Sequence, residues 1–199
     1  MQLARGFALL ALGCVSLPAV AQQRTAVSEA AAPAFQEVER GGYAGAAFGF
    51  ALTTVPGESS KLATGSAVDV ELGYDLGSYF GLGAFLWAAQ LTTPSDATLG
   101  DFSALFPGAE VRFYLPIASD GNGVKRLFFD VRAGGGVMLF EPGAVGPGAT
   151  AAGRLGISIE YFTRLRHFSV GLGAEGIAAA PGGSVMAGGT VSPFARYSF

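Results

Sequence analysis

Most residues in this chain that could carry chemistry are acids and arginines placed at alternate positions between apolar residues. Asp69 and Glu71 lie between Val68, Val70 and Leu72, and the same alternation recurs further along the chain. Because a β-strand turns successive side chains to opposite faces, the charged residues of each segment share one face. The set comprises Asp69, Glu71, Asp75, Glu110, Arg112, Asp130, Arg132, Arg154, Glu160, Glu175 and Arg196. Every base in it is an arginine, whose planar guanidinium suits bidentate pairing with carboxylates, so the set predicts an ion-pair network.

Composition argues against several other kinds of site. The chain has one histidine and one cysteine, Cys14, and its formal net charge is -3. These values make a transition-metal site and a nucleic-acid partner improbable. Acids of the presumed loops, such as Glu58, Asp96, Asp101 and Glu141, are too scattered for a calcium site. We therefore predict no metal and no cofactor.

The alternation predicts eight strands between Gly42 and Phe199. Half of the residues are hydrophobic and 14% are charged, yet the chain after its amino-terminal segment has no run of roughly eighteen apolar residues. Hydrophobicity distributed in this way suits a wall with lipid on one side and a polar interior on the other. The expected fold is an all-β, eight-stranded antiparallel up-and-down transmembrane barrel. The first strand (about Gly42 to Leu52) and the third (about Tyr79 to Gln90) follow the pattern least clearly.

The predicted connections differ in length. Short turns are expected at Leu76–Ser78 and Thr163–Arg166. Longer loops rich in Gly, Pro, Ser and Thr are expected at Thr53–Gly65, Leu91–Asp101 and Glu141–Thr150. Short periplasmic turns and longer external loops are typical of outer-membrane barrels.

Aromatic residues of outward parity collect near the strand ends assigned to the periplasmic side. The group comprises Tyr74, Phe80, Phe113, Phe129, Tyr161, Phe168 and Tyr197. Aromatic rings favour the headgroup level of a bilayer, where an apolar body meets water at its edge. The group therefore predicts a periplasmic aromatic girdle.

The last strand alternates to the final residue, with Tyr197 and Phe199 on its apolar face. This ending resembles the carboxy-terminal targeting strand of bacterial outer-membrane barrels, which their assembly machinery reads. The resemblance implies that Tyr197 and Phe199 form an insertion signal.

The amino terminus has the pattern of a secretory signal peptide over residues 1–21. Arg5 precedes an apolar stretch, and Ala19 and Ala21 form an A-x-A cleavage site. A lipoprotein signal that uses Cys14 is the alternative, although Leu12 lies one position closer to this cysteine than such a signal requires. Cleavage after Ala21 would leave residues 22–41 as a loose periplasmic segment ahead of the barrel.

These features together resemble the small outer-membrane barrels of the OmpA/OmpX/OmpW kind, over roughly residues 42–199. The resemblance implies a monomeric barrel with periplasmic termini, inserted by the outer-membrane assembly machinery and surrounded by outer-membrane lipid. Such barrels are often non-enzymatic, which favours a structural or interaction role with a periplasmic or surface protein partner. The Gly- and Ala-rich composition is also similar to that of barrels from gliding-motility complexes.

The excess of acids in the charged set leaves two hypotheses for the interior. An eight-stranded barrel is only wide enough for its own side chains to fill it. Seven acids and four arginines would therefore form an ion-pair plug, since an unpaired buried charge is costly. The alternative is a narrow cation-preferring passive pore, because pairing leaves roughly three negative charges.

One arrangement in the sequence could support hydrolysis. His167-Phe-Ser169, with Glu175 further along, resembles the His-x-Ser motif of lipid A deacylases, in which a histidine base activates a serine. No asparagine follows Ser169, as it does in that motif, and both side chains have inward parity. We interpret His167 as a turn residue beside Arg164 and Arg166, and predict no catalytic residues.

Overall fold

The structure is a computed structural model, and it describes residues 40–143, 148–165 and 167–199. The predicted signal peptide, its cleavage site at Ala19 and Ala21, and most of the predicted periplasmic segment lie outside the described residues. Among the described residues, no helix has the length and apolar character needed to cross a bilayer.

Eight antiparallel strands form a closed barrel in which each strand pairs with its neighbours in sequence. The strands are β1 Gly42–Val55, β2 Glu58–Leu76, β3 Phe80–Thr92, β4 Phe102–Ser119, β5 Lys125–Glu141, β6 Ala149–Phe162, β7 Phe168–Ala179 and β8 Met186–Ser198. Pairing of β8 with β1, for example Tyr43 with Ser198, closes the ring. The prediction of an eight-stranded up-and-down barrel is confirmed. We call the end where β1 begins and β8 ends the terminal end, and the opposite end the loop end.

The two faces of the wall differ as the alternation requires. Val70, Leu72 and Ile157 point outward and are exposed, whereas Asp69 and Glu71 point inward and are buried. A closed ring leaves no unpaired strand edge, so every strand can satisfy its backbone hydrogen bonds inside the sheet. The wall is therefore apolar outside and encloses its charged side chains.

The prediction of a long loop over Thr53–Gly65 is wrong. β1 continues to Val55 and β2 begins at Glu58, so the connection is a tight turn that contains Gly57 at φ 82°. The alternation continues through this stretch, because Val55 and Ala63 are buried on the inner face. Polar residues on both faces of this stretch, such as the inward Thr53 and the outward Thr64, conceal the alternation in the sequence.

Three prolines lie inside strands, where they remove backbone donors. Pro116 lies where the register of β4 and β5 shifts, and Pro107 and Pro193 lie at gaps in the pairing. The pairing of β4 with β5 has no partners between Leu105 and Gly108, which brackets Pro107. The pairing of β1 with β8 likewise has a gap opposite Pro193, between Phe50 and Ala47. Both strands keep their register across these gaps, so Pro107 and Pro193 each interrupt a ladder without ending a strand.

Tyr43 points into the barrel and packs across two inward glycines. A Cβ added at Gly73 would lie 2.4 Å from the Tyr43 Cζ atom and 2.4 Å from the Leu82 carbonyl oxygen. A Cβ added at Gly83 would lie 2.7 Å from the Tyr43 hydroxyl. The glycines therefore make the space that the Tyr43 ring fills.

We expect Gly73→Ala to destabilise the barrel by about 1–3 kcal/mol, because the added methyl group overlaps both a ring and a backbone carbonyl. Gly100→Ala is the control, since a Cβ there meets nothing within 4 Å. Thermal unfolding in detergent micelles should show a lower melting temperature for Gly73→Ala alone. Equal melting of the two variants would contradict this packing.

Candidate functional site

The inward side chains of the described residues fall into three parts along the barrel axis. Ion pairs fill the middle, which we call the ion-pair layer, and apolar side chains fill the loop end, which we call the apolar layer. Tyr114, Phe128 and Phe162 form an aromatic cluster at the terminal end, which we call the terminal mouth. This interior is the candidate functional site, because it holds nearly all of the buried charge.

Arg112 on β4 lies at the centre of the ion-pair layer. Its Nε donates to Glu110 Oε1 at 2.8 Å, and its Nη2 donates to Glu71 Oε2. Its Nη1 lies 3.7 Å from Asp130 Oδ2. One guanidinium therefore offsets carboxylates from three strands, and its side chain is almost entirely buried.

Arg154 on β6 forms the second centre of this layer. It donates to Asp69 Oδ2 at 2.7 Å and to Glu110 Oε2 at 2.5 Å. Its Nη1 also lies 3.5 Å from Glu175 Oε2. Glu110 thus joins Arg154 to Arg112, which makes the layer one connected network.

Arg132 is held more loosely. Its closest carboxylate oxygens belong to Glu71 at 3.8 Å and Glu175 at 3.9 Å, both beyond hydrogen-bond distance. Its Nε has no hydrogen-bond partner among the described residues. Arg132 contributes charge to the network, but the directed bonds belong to Arg112 and Arg154.

Arg196 on β8 connects the network to the terminal end. It donates to Asp75 Oδ2 at 2.5 Å and to the Tyr114 hydroxyl at 2.6 Å, and lies 3.6 Å from Glu160 Oε2. Tyr114 in turn donates to Asp75 Oδ1 at 3.0 Å. All eleven sequence-predicted charged residues therefore lie inside the barrel, and each makes at least one ion pair.

Aromatic rings cover two of the guanidinium groups. The Phe85 ring centroid lies 3.4 Å from the Arg154 Cζ atom, and the Tyr43 centroid lies 3.7 Å from the Arg196 Cζ atom. Ring faces attract cations, so these contacts accommodate charge where no further carboxylate is needed. Phe85 also marks the boundary between the ion-pair layer and the apolar layer.

The apolar layer corrects the expectation of a polar interior throughout. Its larger members are Val55, Phe85, Trp87, Leu91, Phe102, Phe106, Met138, Phe140, Ile177 and Met186. Phe106, Leu91 and Met138 are completely shielded from solvent. The inward parity of Phe85 and Trp87, which conflicts with a wet lumen, is explained by this layer.

Arg40 is an interior cation that the sequence interpretation missed. It precedes β1, in the segment predicted to be loose, yet its guanidinium lies inside the terminal mouth. The Arg40 Cζ atom lies 4.4 Å from the Phe128 ring centroid and 4.5 Å from that of Tyr114. Its Nη1 lies 4.0 Å from Asp75 Oδ2. Among the described residues, the interior thus holds seven acids against five arginines, rather than four.

An open recess of about 500 Å³ borders the ion-pair layer at Arg154, beside Gly153, Gly176 and Gly188. A cavity of about 10 Å³ borders Asp69, Glu71, Arg112 and Arg132, together with Ala46, Ala47 and Phe194. That volume is about the smallest that holds one water molecule. In the described residues, no group of three or more His, Cys, Asp or Glu is placed to hold a metal ion.

The candidate hydrolytic residues are engaged in separate contacts. The buried Ser169 hydroxyl donates to Glu160 Oε1 at 2.5 Å. Glu175 lies with Arg132 and Arg154 in the ion-pair layer. His167 stacks on Tyr197, with ring centroids 5.7 Å apart. The carboxylate expected to orient a histidine base is thus held by two arginines, which argues against a triad.

The structure places the predicted girdle residues on the outer face near the terminal end. Phe80 pairs with Phe113 and Phe168 pairs with Tyr197 across neighbouring strands. Five of the seven are exposed, and Phe129 is half-buried, as is Phe168. Phe199 follows β8, and its N–H donates to the Gly42 carbonyl oxygen at 2.8 Å.

A polar cluster joins two connections at the loop end. Glu58 Oε1 accepts hydrogen bonds from the Thr98 N–H at 2.8 Å and the Thr98 hydroxyl at 2.5 Å. Lys61 lies 2.8 Å from Glu58 and 3.4 Å from Asp96. Hydrogen bonds from Lys61 and Thr98 lower the pKa of Glu58 to about 2. The β3–β4 loop is therefore fastened to the β1–β2 hairpin at neutral pH.

The closed ring, the apolar outer face and the charged interior define the class of this protein. It has the fold of the small eight-stranded outer-membrane barrels. No protein-family model matches the chain, and no curated protein matches it.

Solved structures give the comparison for the fold. Neisserial surface protein A is similar with a TM-score of 0.63 and 14% identity, over 79% of this chain and 97% of that one. OprG from Pseudomonas aeruginosa gives a TM-score of 0.47 and 12% identity, over 82% of this chain and 99% of that one. Ail of Yersinia pestis gives a TM-score of 0.45 and 13% identity, over 79% of this chain and 99% of that one. The likeness to Neisserial surface protein A is one of fold.

The ion pairs predict that Arg112 stabilises the folded barrel more than Arg132 does. We expect Arg112→Leu to cost about 3–5 kcal/mol, because it removes the nearest guanidinium from buried Glu71 and Asp130 and one of the two that pair with Glu110. Arg132→Leu should also lower the melting temperature, but by less, since its carboxylates retain Arg112 and Arg154. Thermal unfolding of the two variants in the same detergent measures the order. Equal or reversed losses would contradict the central place of Arg112.

Proposed function

We propose that this protein is a non-enzymatic outer-membrane barrel with a closed lumen, which acts as an envelope anchor and interacts through its ends. The observation that carries the proposal is an interior whose loop end is occupied by buried apolar side chains and whose middle is occupied by ion pairs. A barrel filled in this way has only its outer wall and its two ends available for function.

Embedding in a bilayer is supported by the outer wall. Large apolar side chains such as Leu72, Leu155 and Ile159 are more than half exposed. A soluble protein rarely exposes so large a continuous apolar surface. The aromatic residues at the terminal end would lie at the headgroup level of one leaflet.

The lengths of the connections support periplasmic termini. The terminal end carries both strand termini and the connections 77–79, 120–124 and 163–167, of which the first is very short. The loop end carries the connections 93–101, 142–148 and 180–185, each longer than any at the terminal end, together with the tight turn 56–57. Outer-membrane barrels have short periplasmic turns and longer external loops, so the loop end would face outward.

A fixed surface at the loop end supports an interaction role. The hydrogen bonds between Glu58 and Thr98 hold the β3–β4 loop on the neighbouring hairpin. A loop held in place loses less conformational entropy when it binds a partner. The partner would be a surface or envelope protein that contacts this end.

The pore hypothesis requires ions to cross the apolar layer. Trp87, Phe106 and Met138 would have to move together, since each is almost completely buried there. A hydrophobic constriction of this kind opposes ion passage even where it has some width. The excess of acids over arginines is the observation that favours the pore, but it lies on the terminal side of that barrier.

Cysteine labelling in cells tests the proposal, in a Cys14→Ser background that leaves each new thiol unique. With a membrane-impermeant thiol reagent, Gly100→Cys at the loop end should react in intact cells. Gly121→Cys at the terminal end should react only after the outer membrane is permeabilised. Ala63→Cys, which faces the apolar layer, should react in neither condition.

Each alternative gives a different pattern. Labelling of Ala63→Cys in the folded barrel, together with cation-selective steps in planar bilayers, would replace the closed barrel by the pore. Labelling of Gly121→Cys but not Gly100→Cys in intact cells would reverse the orientation. Recovery of the protein from the soluble periplasmic fraction would overturn the membrane location.

A further inference from the structure

The terminal mouth has the composition of a cation-binding cage. Tyr114, Phe128 and Phe162 are buried together, and the Phe128 and Phe162 rings meet edge to face at 5.5 Å. Asp75 supplies a carboxylate beside them, completely shielded from solvent. Several ring faces around one negative charge form the arrangement by which proteins recognise organic cations.

Arg40 occupies this cage in the folded chain. Its guanidinium carbon lies within 6 Å of all three ring centroids, at 4.4 Å, 4.5 Å and 5.6 Å. Only 8% of its side chain is exposed. The residue comes from outside the barrel wall, so the cage is filled by the segment that leads into β1.

Arg40 is held by ring faces and charge rather than by directed hydrogen bonds from its Nη atoms. Its Nη1 and Nη2 atoms are buried and have no hydrogen-bond partner among the described residues. The nearest carboxylate oxygen, Asp75 Oδ2, is 4.0 Å away and already accepts a hydrogen bond from Arg196. The contacts with Arg40 are therefore ring faces and charge, which select a flat cation without fixing its hydrogen bonds.

We propose that the terminal mouth is a binding site for alkylguanidinium groups, filled in cis by Arg40. The contact ties the segment before β1 to the barrel interior and closes the lumen at its terminal end. Because recognition does not depend on directed hydrogen bonds to Arg40, a free alkylguanidinium ion binds the same cage once the Arg40 side chain is removed.

Chemical rescue tests this site in the purified protein in detergent micelles. Arg40→Ala should melt at a lower temperature than the wild type. Ethylguanidinium at millimolar concentrations should raise the melting temperature of Arg40→Ala, saturably and by about 3 °C. Ethylurea has a similar shape without the charge and should have no such effect. The wild type should not respond, since Arg40 fills its cage.

Two further variants separate the cage from general effects. Arg126→Ala removes an arginine at the same end that pairs with Asp120, and it should gain no rescue. Adding Phe128→Leu to Arg40→Ala should abolish the rescue by removing one ring face. If Arg40→Ala does not fold, Arg40→Gln provides the uncharged background, and saturation-transfer NMR of ethylguanidinium provides a direct binding signal.

Two results would overturn the proposed binding site. Absence of any saturable difference between ethylguanidinium and ethylurea in the Arg40 variants would overturn the site. An equal response in the wild type or in Arg126→Ala would overturn it as well, because the effect would then not depend on an emptied cage.

Discussion

The structure depends on the need to neutralise charge inside a closed ring whose outer face is apolar. In the part of the chain that the structure describes, seven acids and five arginines point into a space only wide enough for side chains. A buried charge left unpaired costs several kcal/mol, so the positions of these groups cannot be chosen strand by strand. Glu110 illustrates the constraint, since it pairs with Arg112 on its own strand and with Arg154 two strands away.

The charged network is enclosed by different residues at its two ends. Towards the loop end, Phe85 covers Arg154, and beyond it the interior is apolar. Towards the terminal end, the excess of negative charge draws in Arg40 from outside the wall. The charged middle is thus enclosed on both sides by aromatic rings.

Much of the fold could be predicted from alternation alone, since Val70 and Leu72 opposite Asp69 and Glu71 require two unlike faces. The charged residues could be placed inside for the same reason. The apolar layer could also have been found, because Phe102 and Phe106 share the parity of Glu110; the assumption of a polar lumen concealed it. Arg40 could not be placed, because its position depends on three rings from separate strands and no local pattern reports such a contact.

Trp87 gives the most direct test of a filled lumen, because it is the only tryptophan and lies in the apolar layer. Its fluorescence should be blue-shifted in the protein reconstituted into vesicles. Neither aqueous acrylamide nor lipids with brominated acyl chains should quench it, since the side chain contacts neither water nor lipid. Strong quenching by acrylamide would show a hydrated lumen, and quenching by brominated lipid would show that the faces of β3 are reversed. Either result would contradict the enclosed, side-chain-filled interior on which the account rests.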